Sequence, residues 1–314
     1  MCTAIKFNDR FFGRTLDFEH SFGEELIITP RERVRTLMSH NRYAMAGVGV
    51  MGGDGPMYFD AINEWGLCSA ALNFSHFAAY SHGISDNSVK SSNLITLALG
   101  LCRNVREVRE MLGRISITAD EAYSTEPSGL HWIFADKTDC ITVESVKDGL
   151  KIYDNPLGVM TNAPEFPYHL TRLADFSSLE AANPESRFTH SPPYSRGMGA
   201  IGLPGDFSSS SRFVRATFIK QNLSFESKKP IDMVASLIGT LGCMSVPRGS
   251  VLTDDGDAVM TQYTSLMDMD EPSYYLSTAT CRTIKRVGLS DRLCTSDKIT
   301  RLPLYGEEII INLV

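Results

Sequence analysis

The second residue of the chain is a cysteine, in Met1-Cys2-Thr3-Ala4-Ile5-Lys6-Phe7. Removal of Met1 would leave one residue carrying both a thiol and a free α-amino group. An α-amino group has an ordinary pKa of about 7.7–8.0, so part of it is neutral near pH 7 and can take the proton of its own side chain. Thiolate is the reactive form, and a neighbouring cation increases its population. Cysteine in second place also occurs without any role, so the chemistry needs companions. Arg14 and Asp17, in Phe12-Gly13-Arg14-Thr15-Leu16-Asp17, fall on a strand that can lie beside the N-terminus. Asn73 in Ala71-Leu72-Asn73-Phe74, Asn162 in Thr161-Asn162-Ala163-Pro164, and Arg212 after Gly202-Leu203-Pro204-Gly205-Asp206-Phe207 are further candidates. Each has a plainer alternative. Arg14 and Asp17 could form a surface ion pair worth about 0–1 kcal/mol. The asparagines could be turn residues, and Arg212 a solvated residue in a first helical turn, where the helix dipole mildly disfavours a cation.

The elements that must position these residues begin with two strands, Cys2 to Phe7 and Phe12 to Phe18, joined by the turn Asn8-Asp9-Arg10. Tyr43 to Gly49 and Trp65 to Asn73 continue the β character, with a loop at Gly52-Gly53-Asp54-Gly55-Pro56. Asn93 to Leu101 is apolar and free of breakers. Val105, Val108, Met111, Leu112 and Ile115 then recur at three- and four-residue spacing, which predicts a helical pair on one side of a sheet. A meander is expected over His131 to Asp136, Ile141 to Val146, Leu150 to Tyr153 and Gly158 to Thr161, divided by turn residues. Asp175 to Gly199 is loop-rich. Ser208 to Ser211 suit the N-cap of a helix over Arg212 to Asn222, and Ile231 to Leu241 reads as another. Strands return at Gln262 to Met267, Tyr274 to Thr280 and Glu308 to Leu313. Strands at both ends and helices in two blocks imply an α+β chain with antiparallel sheets sandwiched by helices. With no low-complexity linker and no internal repeat, residues 1–314 read as a single domain.

Composition narrows the class. Apolar residues make up 43% and charged residues 21%, as in a soluble globular enzyme. A net charge of −7 with scattered Lys and Arg disfavours nucleic acid as a partner. Cys2, Cys68, Cys102, Cys140, Cys243, Cys281 and Cys294 are odd in number, widely spaced and form no C-x-x-C pair. That disfavours a disulfide framework and a zinc site, and suits a reducing compartment. The histidines form no H-E-x-x-H pattern, so no metal is expected. His131, beside Trp132, reads as a structural histidine, although a Cys/His dyad stays open. No apolar run follows a basic start, and the longest, Leu94 to Cys102, is about half a bilayer span. A cytoplasmic protein without membrane attachment is expected.

Taken in order, these motifs resemble the choloylglycine hydrolase family, which contains bile salt hydrolases and penicillin V acylases. The likeness covers nearly the whole chain: Met-Cys-Thr, Phe-Gly-Arg-x-x-Asp, Leu-Asn-Phe, Leu-His-Trp at 130–132, Thr-Asn-x-Pro and Gly-Leu-Pro-Gly-Asp-Phe. Ser211-Arg212-Phe213 and Thr261-Gln262-Tyr263-Thr264-Ser265 extend it. The resemblance implies the four-layer αββα sandwich of N-terminal-nucleophile (Ntn) hydrolases, with two antiparallel sheets between helical layers. It implies that Cys2 attacks an amide carbonyl and forms a thioester. Its α-amino group would take the thiol proton and pass one to the leaving amine. The Asn162 side-chain amide and the Asn73 backbone N–H would donate to the oxyanion. Arg14 and Arg212 would keep the site electropositive, and Asp17 would hold the α-amino group near the sulfur. No cofactor is implied.

Family members that favour penicillin often carry Tyr where this chain has Asn73. The resemblance therefore implies conjugated bile salts, cleaved to a bile acid plus glycine or taurine. Tyr194 to Gly202 resembles the assembly loop of tetrameric members, which implies a homotetramer. An amphipathic amide substrate needs an apolar cleft, and Leu16, Phe22, Met57, Phe59 and the 117–128 loop are candidate lining. Ala71 departs from the glycine that many members carry before Leu-Asn, and segments 83–95 and 116–128 match least well. Two other functions stay open: an acylase of penicillin V or N-acyl homoserine lactones, and a catalytically silent ligand-binding homologue.

Overall fold

Nearly every side chain of Cys2–Lys6 (β1) and Phe11–Phe18 (β2) is buried, on both faces of the strands. Such strands lie inside a layered molecule rather than on a half-exposed hairpin. The computed structural model describes residues 1–313 except 38, 82–84, 120–128, 189, 191, 193 and 226–228. In it β1 and β2 are neighbouring interior strands of a six-stranded antiparallel sheet. Its order is Val159–Met160 (β12), β1, β2, Met260–Asp268 (β13), Ser273–Thr278 (β14), Lys285–Gly288 (β15). A second, eight-stranded antiparallel sheet is longer. It runs Gly149–Asp154 (β11), Cys140–Val146 (β10), Leu130–Ala135 (β9), Cys68–Asn73 (β6), Gly55–Asn63 (β5), Met45–Gly52 (β4), Glu25–Thr29 (β3), Thr300–Pro303 (β16). Ser88–Lys90 (β7) and Ser116–Thr118 (β8) add a small parallel pair.

Three apolar clusters order the layers. Met45, Ala61, Val108 and Trp132 belong to the one that seats Leu94–Leu101 (α1) and Val105–Leu112 (α2) on the eight-stranded sheet. Phe11, Phe213, Val234 and Leu237 seat Ser209–Asn222 (α4) and Pro230–Gly242 (α5) on the six-stranded sheet, with Phe166–Arg172 (α3) beside α4. Ala4, Phe12, Leu16, Ala46, Ile62, Leu72 and Tyr274 fill the space between the sheets. A short helix, Asp291–Cys294 (α6), precedes β16. The result is the αββα order that the resemblance implies. Glycine at position 13 has a packing reason: a Cβ there would lie 2.8 Å from both Ser265 O and Leu241 Cδ1. Its absence lets β13 and α5 close on the strand that carries Arg14.

Several elements differ from the sequence expectation. The loop expected over 52–56 is a tight hairpin, with Gly52 paired to Gly55 and only residues 53–54 turning. Glu308 to Leu313, expected as a strand, is irregular and exposed. A β-prone run becomes a strand only when it meets a partner edge. This one meets none among the described residues; Glu308 instead accepts from the Arg282 N–H at 2.5 Å. Among the described residues no helix is long and apolar enough to cross a membrane.

Candidate active site

The register of β1 on β2 sets Cys2 opposite Leu16 and Ala4 opposite Arg14. Side chains alternate along a strand, so Phe12, Arg14 and Leu16 face the second sheet, as Cys2 does. Arg14 is fully buried there and its Nη2 donates to Cys2 Sγ at 2.9 Å. Its Nη1 donates to Phe59 O at 3.2 Å and to Asp60 Oδ2 at 3.3 Å. The Phe59 carbonyl is free to accept because Phe59 is the extra residue of a bulge between β4 and β5.

Asp60 was not among the sequence candidates, yet it anchors this side of the site. Its carboxylate is fully buried and accepts from Tyr263 Oη at 2.5 Å, from Ser265 Oγ at 2.9 Å and from Tyr274 Oη. Burial opposes the charge on Arg14, but Cys2, Tyr263 and Asp60 hold the guanidinium above its ordinary range. Burial beside the Asp60 carboxylate pushes both phenols well up, so they remain donors.

Arg212 reaches Cys2 from the helical layer. It lies in the first turn of α4 and is fully buried, which removes the solvated alternative. Its Nη1 donates to Cys2 O and, at 2.8 Å, to Thr3 Oγ1; its Nη2 donates to Asn162 Oδ1 at 2.7 Å. Burial lowers its pKa, opposed by Asp17 and Cys2. The start of α4 is held by Asp206, whose Oδ1 accepts from Ser208 N at 2.9 Å and Oδ2 from Ser211 Oγ at 2.6 Å. Bonds from Ser208 and Ser211 lower the Asp206 carboxyl to about 2 from an ordinary 3.8. A depressed carboxylate adds stability that is present above its unfolded value and is lost as pH falls through the folded one. Asp206→Asn is therefore expected to lower the urea midpoint at pH 7, with the gap closing as pH is taken below about 2. An equal gap at both pH values would show that the carboxylate charge contributes nothing.

Asn73 and Asn162 meet. Phe74 N donates to Gly129 O at 2.7 Å and Asn73 stands opposite Leu130. Asn73 thus occupies a non-hydrogen-bonded position on β9, and its own N–H and C=O point the other way. That carbonyl accepts from Asn162 Nδ2 at 2.8 Å. The Asn73 side chain is turned to Ser75, whose N–H and Oγ donate to it at 2.9 and 2.6 Å. The departure at Ala71 does not disturb the strand: its Cβ packs with the α1/α2 cluster and the β6–β9 register runs unbroken from 68 to 73.

Asn162 Oδ1 also accepts from the Cys2 N–H at 2.8 Å. With Met1 attached that nitrogen is an amide, and the α-ammonium belongs to Met1. The ammonium donates to the Asp17 backbone carbonyl at 2.6 Å, and Asp17 N donates back to Met1 O at 2.9 Å. The Asp17 carboxylate accepts instead from Thr261 Oγ1 at 2.6 Å and from Thr15 Oγ1 at 3.3 Å. Burial raises its pKa, against the pull of Arg212, the N-terminal ammonium and Thr261.

Of the pocket candidates, Leu16 lies in the inter-sheet cluster with Cys2, and Phe59 packs against that cluster. Phe22, 38% exposed, meets Phe59 edge-on at 5.5 Å. Met57 sits farther along β5, where its Cε covers Gly52. Residues 120–128 of the 117–128 loop lie outside the described residues. His131 does not pair with Cys2; both ring nitrogens are engaged, by Glu144 Oε1 at 3.1 Å and Thr161 O at 2.9 Å. Asp60 was detectable in principle as a lone acid inside the apolar run Met57 to Ile62. Tyr263 and Ser265 share one strand face by their two-residue spacing.

The chain is 39% identical over 322 residues to a bile salt hydrolase/transferase of Lactiplantibacillus plantarum, covering 98% of each. A mutant conjugated bile acid hydrolase from Clostridium perfringens superposes with a TM-score of 0.90 at 28% identity, covering 100% of both chains. A penicillin V acylase from Agrobacterium tumefaciens shares the fold, with a TM-score of 0.77 at 20% identity over 99% of this chain and 94% of the acylase. The model of the linear amide C–N hydrolases, choloylglycine hydrolase family, matches residues 2–301. With its buried Cys2 between two guanidinium groups, its αββα layers and a family match along almost its whole length, this chain belongs to the choloylglycine hydrolase family.

Proposed function

We propose that the protein is a bile salt hydrolase that cleaves glycine- or taurine-conjugated bile salts through a Cys2 thioester after loss of Met1. One observation carries the reading: a single residue presents its sulfur to buried Arg14 and its nitrogen to Asn162. Loss of Met1 turns that nitrogen into an amine in the same place, within reach of its own thiol. It also frees the backbone of Asp17, which Met1 otherwise occupies. The amine takes the thiol proton, sulfur attacks the amide carbon, and negative charge moves to the carbonyl oxygen. Asn162 Nδ2 has two hydrogens, one given to Asn73 O; the other, with the Asn73 N–H, is free to hold that oxygen. Collapse expels glycine or taurine, which leaves with the proton from the ammonium. Water, deprotonated by the same amine, then releases the bile acid and restores the thiol.

The substrate class rests on the Lactiplantibacillus plantarum relative, named a bile salt hydrolase/transferase, and on the apolar edge formed by Leu16, Phe59 and Phe22. Glycine or taurine release from glycocholate and taurocholate, set against cleavage of penicillin V, tests it. Faster penicillin V cleavage would keep the mechanism and overturn the substrate. No cleavage by protein lacking Met1, verified by mass spectrometry, would favour a silent binding homologue. Asn162→Ala is expected to lower kcat about 100- to 1000-fold, the usual cost of one oxyanion donor. A loss under about threefold would remove Asn162 from that role.

We also infer a homotetramer in the cytoplasm. Phe188 is 81% and Ile201 68% exposed in and beside the segment that resembles the assembly loop, and apolar surface of this kind calls for cover. The seven cysteines are free, which suits a reducing compartment. A monomeric mass by light scattering would refute the tetramer.

A further inference from the structure

The residue with the most demanding placement, Asn162, stands where the sheet has just ended. β12 is a two-residue edge strand, paired to β1 only at Val159 and Met160. The Thr161-Asn162 backbone that follows is outside the ladder, so other groups must satisfy it and fix it. Two histidines do so. His131 Nε2 lies 2.9 Å from Thr161 O, and His169 Nε2 lies 2.9 Å from Asn162 O. A carbonyl can only accept, so both Nε2 atoms carry the hydrogen. Ser209 completes the cradle: its Oγ donates to Asn162 O at 2.8 Å and accepts the Asn162 N–H at 2.9 Å.

The histidines are themselves located by the rest of the site. His131 stacks on Phe74 at 4.3 Å, and His169 stacks on Phe213 at 5.0 Å. Those rings directly follow Asn73 and Arg212, so each histidine registers the Thr161-Asn162 segment against a neighbouring site residue. A single fully buried carboxylate, Glu144, links the pair. It faces His131 Nδ1 and accepts the Phe166 N–H that opens α3, the helix carrying His169. Burial pushes the His169 imidazole below its ordinary pKa, which leaves it neutral with its hydrogen committed to Asn162.

We propose that His131 and His169 are positioning residues for amide hydrolysis: by holding two consecutive carbonyls, they aim the Asn162 side-chain amide at the oxyanion. This rests on the reading of Asn162 given above. Neither histidine touches the nucleophile, so their effect should appear in a step that develops an oxyanion and be absent from one that does not.

Two substitutions at His169 separate the hydrogen bond from the packing. His169→Phe keeps a ring against Phe213 and removes the donor; His169→Gln removes the ring and places an amide N–H near the former Nε2. Each is assayed for glycocholate turnover and for the rate of Cys2 alkylation by iodoacetamide, a displacement with no oxyanion. His169→Phe is expected to lose about ten- to a hundredfold in kcat, the scale of a small misplacement of a catalytic group, with KM within about threefold. His169→Gln should recover to within about threefold of the parent, and alkylation should change less than about threefold in both. Full activity in His169→Phe, or equal losses of turnover and alkylation in both variants, would overturn the proposal. If His169→Phe does not fold, the smaller His169→Leu decides in its place. Asn162→Ala serves as the control. If it retains kcat, the oxyanion reading has failed; if it loses kcat while the His169 variants do not, the positioning role alone has failed.

Discussion

Cys2→Ser is expected to reduce glycocholate hydrolysis by at least about a thousandfold while leaving the fold intact. Removing a nucleophile from a cooperating set can cost up to about a millionfold in kcat. Serine occupies the same space and keeps the α-amine, so the loss reports the sulfur itself. Arg14 Nη2 lies 2.9 Å from Sγ, and Arg212 meets the same residue through its carbonyl. A serine hydroxyl in that place is a weaker nucleophile than a thiol and hardly ionises near neutral pH. The measurement is glycine release by parent and variant, with mass spectrometry showing that both have lost Met1. Activity within about tenfold of the parent would remove Cys2 from the nucleophile's role.

Asp60→Ala is expected to destabilise the protein by about 3–5 kcal/mol, the cost of leaving one member of a buried ion pair without its partner. Arg14 and Asp60 are both fully buried and 3.3 Å apart. The substitution also removes the shared acceptor of the buried Tyr263, Tyr274 and Ser265 hydroxyls. These losses share one carboxylate and do not add. A fall in urea midpoint at constant m-value would measure the effect. Asp60→Asn, which keeps an acceptor and the shape, should lose less. A change under about 1 kcal/mol for Asp60→Ala would place this pair with exposed ion pairs and imply that water enters the site.

Much of the frame was legible in local pattern. The three- and four-residue spacing from Val105 to Leu112 and the serines before Arg212 located α2 and α4. The ordered motifs led to Cys2, Arg14, Asn73, Asn162 and Arg212, which the fold brings together through direct hydrogen bonds. Asp17 is adjacent, but with Met1 in place the ammonium meets its carbonyl and not its carboxylate. The tail from Glu308 to Leu313 had strand propensity and no strand. Propensity is a property of the segment, whereas a strand also needs an edge to pair with.

By itself the sequence determined which side chains were available, their periodicity and their order along the chain. Those are local properties, carried by each segment wherever it packs. Only the tertiary structure decided that Asp60, on the other sheet, would anchor Arg14, and that His131 and His169 would hold the carbonyls on which Asn162 depends. Such contacts join residues 7 to 46 positions apart. They arise from strand register, the bulge at Phe59 and the meeting of two sheets with the helical layer. A polar residue in an apolar strand announces that it needs a partner; its partner is chosen by packing.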